Sequence, residues 1–388
     1  MRNSLILMSL ALVGLLSLAT TEAGDQRARL AADFQAGEPA LQSMSALAFA
    51  PEGVLLVGDS KSGAVFAIET GDTTAPAEDA TIRITNVEEE IAGLLGTTAA
   101  EIMIHDMAVN PISQNVYLAV SRGRGSWESS WYLPNDIADA QLLLRVDTGG
   151  AISEVDLSSL RHASAPISNP IDTDKKHQWK ENASLRADAI TDLAYNNGTI
   201  YVAGLSNEEF ASTMWRIPFP FTDEATTTTL EIFHGAHGEY ETHAPIRTFV
   251  PYELEGQEHI LAAYLCTPFV TFKTADLADG EHVKGRTLGE FGSGNYPLDM
   301  VVYEKAGEER LLIANSNLPL MIIKPDDISG WKDEITAEPE GYVAGLPYEV
   351  RSGAGIQQLD RLNASNLIAL QRLPGGTLAL VSVDSRQF

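Results

Sequence analysis

Between Asn295 and Asp326, three short apolar runs at 300–303, 311–314 and 320–323 stand close together, separated by turn-forming residues. Short apolar runs with such punctuation read as an antiparallel meander. The same unit recurs. Its strands fall at 45–51, 54–59, 64–69 and 80–85; then at 104–111, 115–121 and 142–147; and then at 190–195, 199–204, 213–217 and 229–233. Further copies run 246–252, 259–265, 268–273 and 284–288, and finally 355–362, 367–372 and 378–383. In the 295–326 copy a fourth strand is expected within 334–343. Aligning the polar position that opens each unit gives Ala46, Asp106, Asp192, Thr248, Asp299 and Gln358, at spacings of 60, 86, 56, 51 and 59 residues. Internal repetition at this period, one four-stranded sheet per unit, is the pattern of a β-propeller. The expected fold is all-β: six blades of four-stranded antiparallel sheets, or seven if 161–187 hides strands. The last unit has three strands, so an N-terminal strand such as 31–34 is expected to complete it and close the ring.

The chain opens Met1-Arg2-Asn3-Ser4, turns apolar over 5–18 and leaves through small residues at Thr21 and Ala23. That is the form of a secretory signal, and the apolar stretch is too short to span a bilayer. The reading is a signal at 1–23, a single propeller domain over 24–388, a secreted or periplasmic location and no membrane span after cleavage. Net charge is −27. A surface so acidic repels phosphate backbones, which argues against nucleic acid as a partner and leaves a small molecule or a protein, with the chain itself a monomer. The single cysteine, Cys266, excludes a disulfide framework, CxxC knuckles and a CxxCH haem site.

Two segments interrupt the repeat. The insertion at 122–140 carries Trp127, Trp131 and Tyr132, and suits either a lid or a self-packed flap. The segment 161–186 is the most basic stretch, with Lys175, Lys176, His177 and Lys180, and reads as a solvated loop. A short helical excursion is expected over 87–102.

The inner strands Asp106-Met-Ala-Val-Asn-Pro, Asp192-Leu-Ala-Tyr-Asn-Asn and Asp299-Met-Val-Val-Tyr resemble those of six-bladed propellers in the senescence-marker-protein-30, paraoxonase, strictosidine-synthase and NHL-repeat groups. The resemblance covers most of the chain as architecture. It implies a Ca²⁺-type ion in the axial tunnel, held at inner-strand starts, and Asp106, Asp192 and Asp299 match that placement. The first blade departs from it, with Ser45-Ala46 where an acidic ligand is usual. Oxygen ligands suit a hard cation, and three carboxylates brought together without one would hold raised pKa values. Arg247 offers a charge balance without metal. Aspartates at strand starts also serve simply as acceptors for loop N–H groups.

His105, Arg247 and Gln358 fall at the same mouth and are candidate ligand-binding residues. Asn315 and Asn317, after the second strand of their unit, are candidates for the far side of a pocket, with turn formation as the alternative. A second constellation, His234, His237, Glu239, Glu241 and His243 within ten residues, could bind Zn²⁺ or Cu²⁺ or could be surface histidines of a Gly-rich loop. No GxSxG elbow, P-loop or GxGxxG motif occurs. The expected function is binding of a ligand or partner at an acidic axial mouth, with a structural calcium ion as the expected cofactor. The alternative is a metal-dependent esterase or lactonase.

Overall fold

Strands apolar on both faces need a neighbour on each side, and a ring of sheets supplies one. The computed structural model describes residues 29–123, 141–177 and 184–388, and it contains six small sheets. The expected signal at 1–23 and the aromatics of the 122–140 insertion lie outside the described residues.

The first blade holds Ala46–Ala50, Val54–Asp59 and Ala64–Glu69; the second Ile102–Val109, Val116–Arg122, Gln141–Val146 and Ile152–Glu154. The third holds Asp192–Asn196, Thr199–Leu205, Ser212–Pro218 and Thr226–His234; the fourth Ile246–Leu254, Gln257–Tyr264, Pro268–Lys273 and Arg286–Glu290. The fifth holds Pro297–Lys305, Glu308–Asn315, Leu320–Ile323 and Glu349–Arg351; the sixth Ile356–Arg361, Asn366–Arg372 and Leu378–Asp384. All pairs within these sets are antiparallel. In the third, fourth and fifth blades the two innermost strands are joined by two residues, Asn197-Gly198, Glu255-Gly256 and Ala306-Gly307, all at positive φ. Two consecutive positive φ values match the right-handed twist of the flanking strands, and glycine at the second position adopts its value without strain.

The outer strands of the third and fourth blades lie where expected, while those of the first, fifth and sixth depart from the expected assignments. Residues 80–85 do not complete the first blade. Arg83–Ile84 instead pairs with Leu378–Asp384 and becomes the fourth strand of the sixth. The first blade is completed by Arg161–Pro166, drawn from the stretch expected to be a loop, with Gln35–Ala36 beyond it. Residues 31–34 form no strand. Leu30, Ala31 and Phe34 are buried against the core shared by the first and third blades. The fifth blade's outer strand is Glu349–Arg351 rather than part of 334–343, and Ala344–Gly345 joins the fourth blade. The ring is therefore closed by an N-terminal strand, but a different one from 31–34, and there are six blades. An exposed sheet edge accepts any extended segment that reaches it, so apolar pattern alone does not assign a two- or three-residue outer strand.

The blades are not arranged in chain order. The first blade shares one core with the second, including Leu55, Ile68, Tyr117 and Leu143, and another with the third, including Leu56, Val202 and Trp215. The second shares its other face with the sixth, and the third to sixth follow in sequence. Around the axis the order is second, first, third, fourth, fifth, sixth. The helix Val87–Leu95, ended by Gly96 at φ 67, buries Val87 and Ile91 in the core between the second and sixth blades. Among the described residues no helix is long and apolar enough to cross a membrane.

Candidate functional site

Four inner strands carry a β-bulge near their starts: between Ile104 and Asp106, Ile246 and Thr248, Pro297 and Asp299, and Ile356 and Gln358. A bulge sets two residues against one on the partner strand and re-aims a side chain. Here the extra residues are His105, Arg247, Leu298 and Gln357, and the first three turn toward the axis. They join Ser45, Asp106, Asp188, Thr191, Asp192, Thr248, Asp299 and Gln358 around a cavity of about 160 Å³. A second cavity of about 340 Å³ follows along the axis, and Asp106, Asp192 and Asp299 border both. Six of the expected site residues, His105, Asp106, Asp192, Arg247, Asp299 and Gln358, thus meet at one mouth.

The carboxylates also bind the ring together. Asp106 Oδ2 accepts the Leu47 N–H of the first blade at 2.6 Å. Asp192 Oδ2 accepts Phe249 N–H of the fourth at 2.9 Å, and Asp299 Oδ2 accepts Leu359 N–H of the sixth at 2.7 Å. Asp360, in the sixth blade, accepts Val109 N–H of the second at 2.7 Å and completes the set. Asp360 lies two residues beyond the aligned Gln358 and on the same face of its strand. That period-two offset is the signal that would have revealed it. Of the two alternatives for these aspartates, the second is the one seen: they accept backbone N–H groups as strand-start aspartates do, but across blade boundaries.

Burial pushes all four carboxyls up. Asp192 rises to about 7 and Asp360 to about 6. Asp106 lies well above the usual carboxylate range through burial and the nearby Asp192, and Asp299 through burial and the nearby Asp106. Arg247 does not pair with this ring. Its guanidinium binds Asp188 Oδ1 at 3.1 Å, while His177 Nε2 binds Asp188 Oδ2 at 3.0 Å. Burial pushes Asp188 up, but the His177 hydrogen bond and the Arg247 charge outweigh it and hold the group below its usual value. His105 is pushed down to about 4, by burial first and by the charge of Lys61, so its ring is neutral at pH 7. Its Nε2 meets Ser121 Oγ at 2.9 Å.

Gln358 donates from Nε2 to the His105 carbonyl at 2.8 Å, and its Oε1 is buried with no hydrogen-bond partner. The residue is only 9% exposed. Asn315 and Asn317 do not line either axial cavity. Asn315 Oδ1 accepts from Asn295 Nδ2 at 2.9 Å, and Asn317 Nδ2 donates to the Gly294 carbonyl at 2.9 Å, so both fasten the turn after Glu308–Asn315.

The calcium implied by the resemblance can be tested against the donor set. Each ring carboxylate already accepts the N–H of a neighbouring blade. Asp106, Asp192 and Asp299 are not among the groups whose donor atoms fall within 4.8 Å of one another. Such a group does exist elsewhere, formed by His234, His237 and Cys266. The loop holding the histidines is a built hairpin in which Thr226–His234 pairs with Glu239–Glu241 across a 3-10 turn at Gly235–His237. Glu239 and His243 are exposed and take no part.

Fold and axial mouth together define a six-bladed β-propeller. No protein-family model matches the chain, and no curated protein matches it by sequence. Among solved structures it is similar to the hydrazine synthase of Kuenenia stuttgartiensis, at 9% identity and a TM-score of 0.37 over 90% of this chain and 98% of that one. It is also similar to a Thermus thermophilus protein described as an oxidoreductase (glucose dehydrogenase), at 13% identity and a TM-score of 0.31, over 90% and 100%. Neither likeness carries chemistry over to this chain.

Proposed function

We propose that this propeller binds a small, neutral or cationic molecule carrying hydroxyl or amine donors at its axial mouth. The observation that carries the reading is Gln358 Oε1, a buried acceptor without a donor on the wall of a polar cavity. Leaving such a group unsatisfied costs about 1–3 kcal/mol, which a ligand donor would recover. The Asp106 and Asp299 carboxyls, neutral His105 and the Thr248 hydroxyl supply further donors and acceptors, while the Arg247–Asp188 pair fixes one wall. A net charge of −27 disfavours anions.

A calcium ion at the same mouth is the second reading, favoured by four carboxyls whose pKa values burial raises and which a cation would hold ionised, although their oxygens form no ready-made cluster. Ester or lactone hydrolysis is the enzymatic form of that second reading. The form of residues 1–23 supports a site of action outside the cytoplasm, and an exported protein starting at Gly24 would bear this out.

Calorimetric titration with glycerol, small sugars, primary amines and Ca²⁺ alone separates the readings. Binding of an organic probe that weakens about 3- to 10-fold in Gln358→Ala supports the first, since a neutral hydrogen bond contributes about 0.5–1.5 kcal/mol. Stoichiometric Ca²⁺ binding lost in Asp192→Ala supports the second, and ester turnover lost with it makes the protein an enzyme. Equal behaviour of wild type and Gln358→Leu toward every organic probe overturns the first reading.

A further inference from the structure

His234 and His237 lie with ring centroids 3.8 Å apart and planes tilted by 36°, and one carboxylate holds both. Glu241 Oε2 meets His234 Nδ1 at 2.9 Å, and Glu241 Oε1 meets His237 Nδ1. Glu241 is only 6% exposed, so this is a fixed clamp rather than a surface encounter. With both Nδ1 atoms engaged, the Nε2 atom of each ring is left to coordinate. His234 Nε2 is itself buried, and with Nδ1 on Glu241 it is the ring atom that faces the Cys266 thiol. Cys266 completes the group from the turn between Gln257–Tyr264 and Pro268–Lys273 of the next blade, and the three donor atoms all lie within 4.8 Å of one another.

From this arrangement we propose a transition-metal site, with Zn²⁺ as the ion, ligated by His234, His237 and Cys266. Two imidazole nitrogens and one thiolate suit Zn²⁺, with bond lengths of about 2.0–2.3 Å that place ligand atoms roughly 3.5 Å apart. A carboxylate holding the far nitrogen of each ligating imidazole fixes the tautomer and raises basicity, and Glu241 does this for both rings at once. Cys266 and Thr267 sit at φ +62 and +63, unusual for side-chain-bearing residues and typical of positions held for a purpose. The cysteine and His237 are partly open to solvent, so water can take the fourth position. Behind the turn, Glu290 Oε1 accepts the Gly235 N–H at 2.6 Å and holds the hairpin in place. None of these residues lines the axial cavities, so this site and the axial mouth stand or fall separately.

The test uses the full chain stripped with EDTA, dialysed against Zn²⁺ and measured by elemental mass spectrometry. About one equivalent is expected, with affinity reduced about 10- to 100-fold in Glu241→Gln and at least that much in Cys266→Ser or His237→Ala. His237 lies at the rim, so its variant should melt like the wild type in EDTA and serves as the folding control. Co²⁺ in place of Zn²⁺ should give a thiolate-to-cobalt charge-transfer band that Cys266→Ser abolishes. Zinc retained by Cys266→Ser and His237→Ala alike would overturn the site. So would alkylation of Cys266 by iodoacetamide that is fast, indifferent to Zn²⁺ and slowed only by His234→Gln, because that result describes a nucleophilic thiol instead.

Discussion

At the scale of single residues, the axial aspartates have two duties that pull in different directions. Asp299 takes the Met300 N–H on Oδ1 and the Leu359 N–H on Oδ2, each at 2.7 Å. Replacing it with alanine strands both donors, and a buried unsatisfied N–H costs about 1–3 kcal/mol. Asp299→Ala is therefore expected to lower the urea midpoint by an amount in that range, and Asp299→Asn, which keeps one acceptor, by about half as much. An alanine variant as stable as the wild type would show that the carboxylate does not bind the fifth blade to the sixth. Gln358 differs in that its Oε1 has no hydrogen-bond partner in the folded chain. Asp106, Asp192 and Asp299 were legible in the sequence because they recur at the start of the repeat. Asp188 and Asp360 were not, because one stands before its strand and the other two positions beyond the aligned residue.

At the scale of elements, the bulges matter most, since an uninterrupted strand would send His105 and Arg247 away from the side on which Asp106 and Thr248 lie. Nothing in an apolar run announces a bulge, so the shared mouth could be read from the repeat while its side-chain geometry could not. Close backbone approach was equally hidden. A Cβ on Gly204 would lie 2.0 Å from the Ala189 carbonyl oxygen, beside the turn that carries Asp188. Gly204→Ala is expected to cost about 1–3 kcal/mol as an overpacked site and to loosen the Asp188–Arg247 pair. Gly93 makes the contrast. It lies inside the helix Val87–Leu95 with open space around it, so Gly93→Ala is expected to add about 0.5–1 kcal/mol through helix propensity. Guanidinium denaturation of the two variants checks both signs. The inner three strands of each blade were legible as dense apolar runs. So were the outer strands of the third and fourth blades, Thr226–His234 and Arg286–Glu290, but those of the other blades were not, because a short segment on an exposed edge carries too little pattern to choose a sheet.

For the molecule as a whole, the ring order joins segments far apart in the chain: Arg83–Ile84 closes the sixth blade, and Arg161–Pro166 completes the first. The four axial aspartates link the second blade to the first, the third to the fourth, the fifth to the sixth and the sixth to the second, so their protonation acts on four of the six junctions. Their folded-state pKa values are raised, so their contribution to stability is fully present below about pH 4, the ordinary carboxylate value, and is lost as pH rises through the folded values. Those values are about 6 for Asp360 and about 7 for Asp192, and burial together with a neighbouring carboxylate raises Asp106 and Asp299 as well. For Asp192 alone, moving from 3.8 to about 7 corresponds to an upper value of roughly 4 kcal/mol, reduced by solvent screening because the residue is only half-buried. Asp188 and Glu241 are shifted down and act in the opposite sense, their contribution being lost as pH falls. The expected outcome is a denaturation midpoint that declines between pH 5 and pH 8. The decline should be shallower in the double variant Asp192→Asn/Asp360→Asn, which cannot ionise at two of the junctions. If the two proteins lose stability in parallel, general surface repulsion governs the slope. If added Ca²⁺ restores the wild type at pH 8 and leaves the double variant unchanged, the ionised ring is the site of a cation.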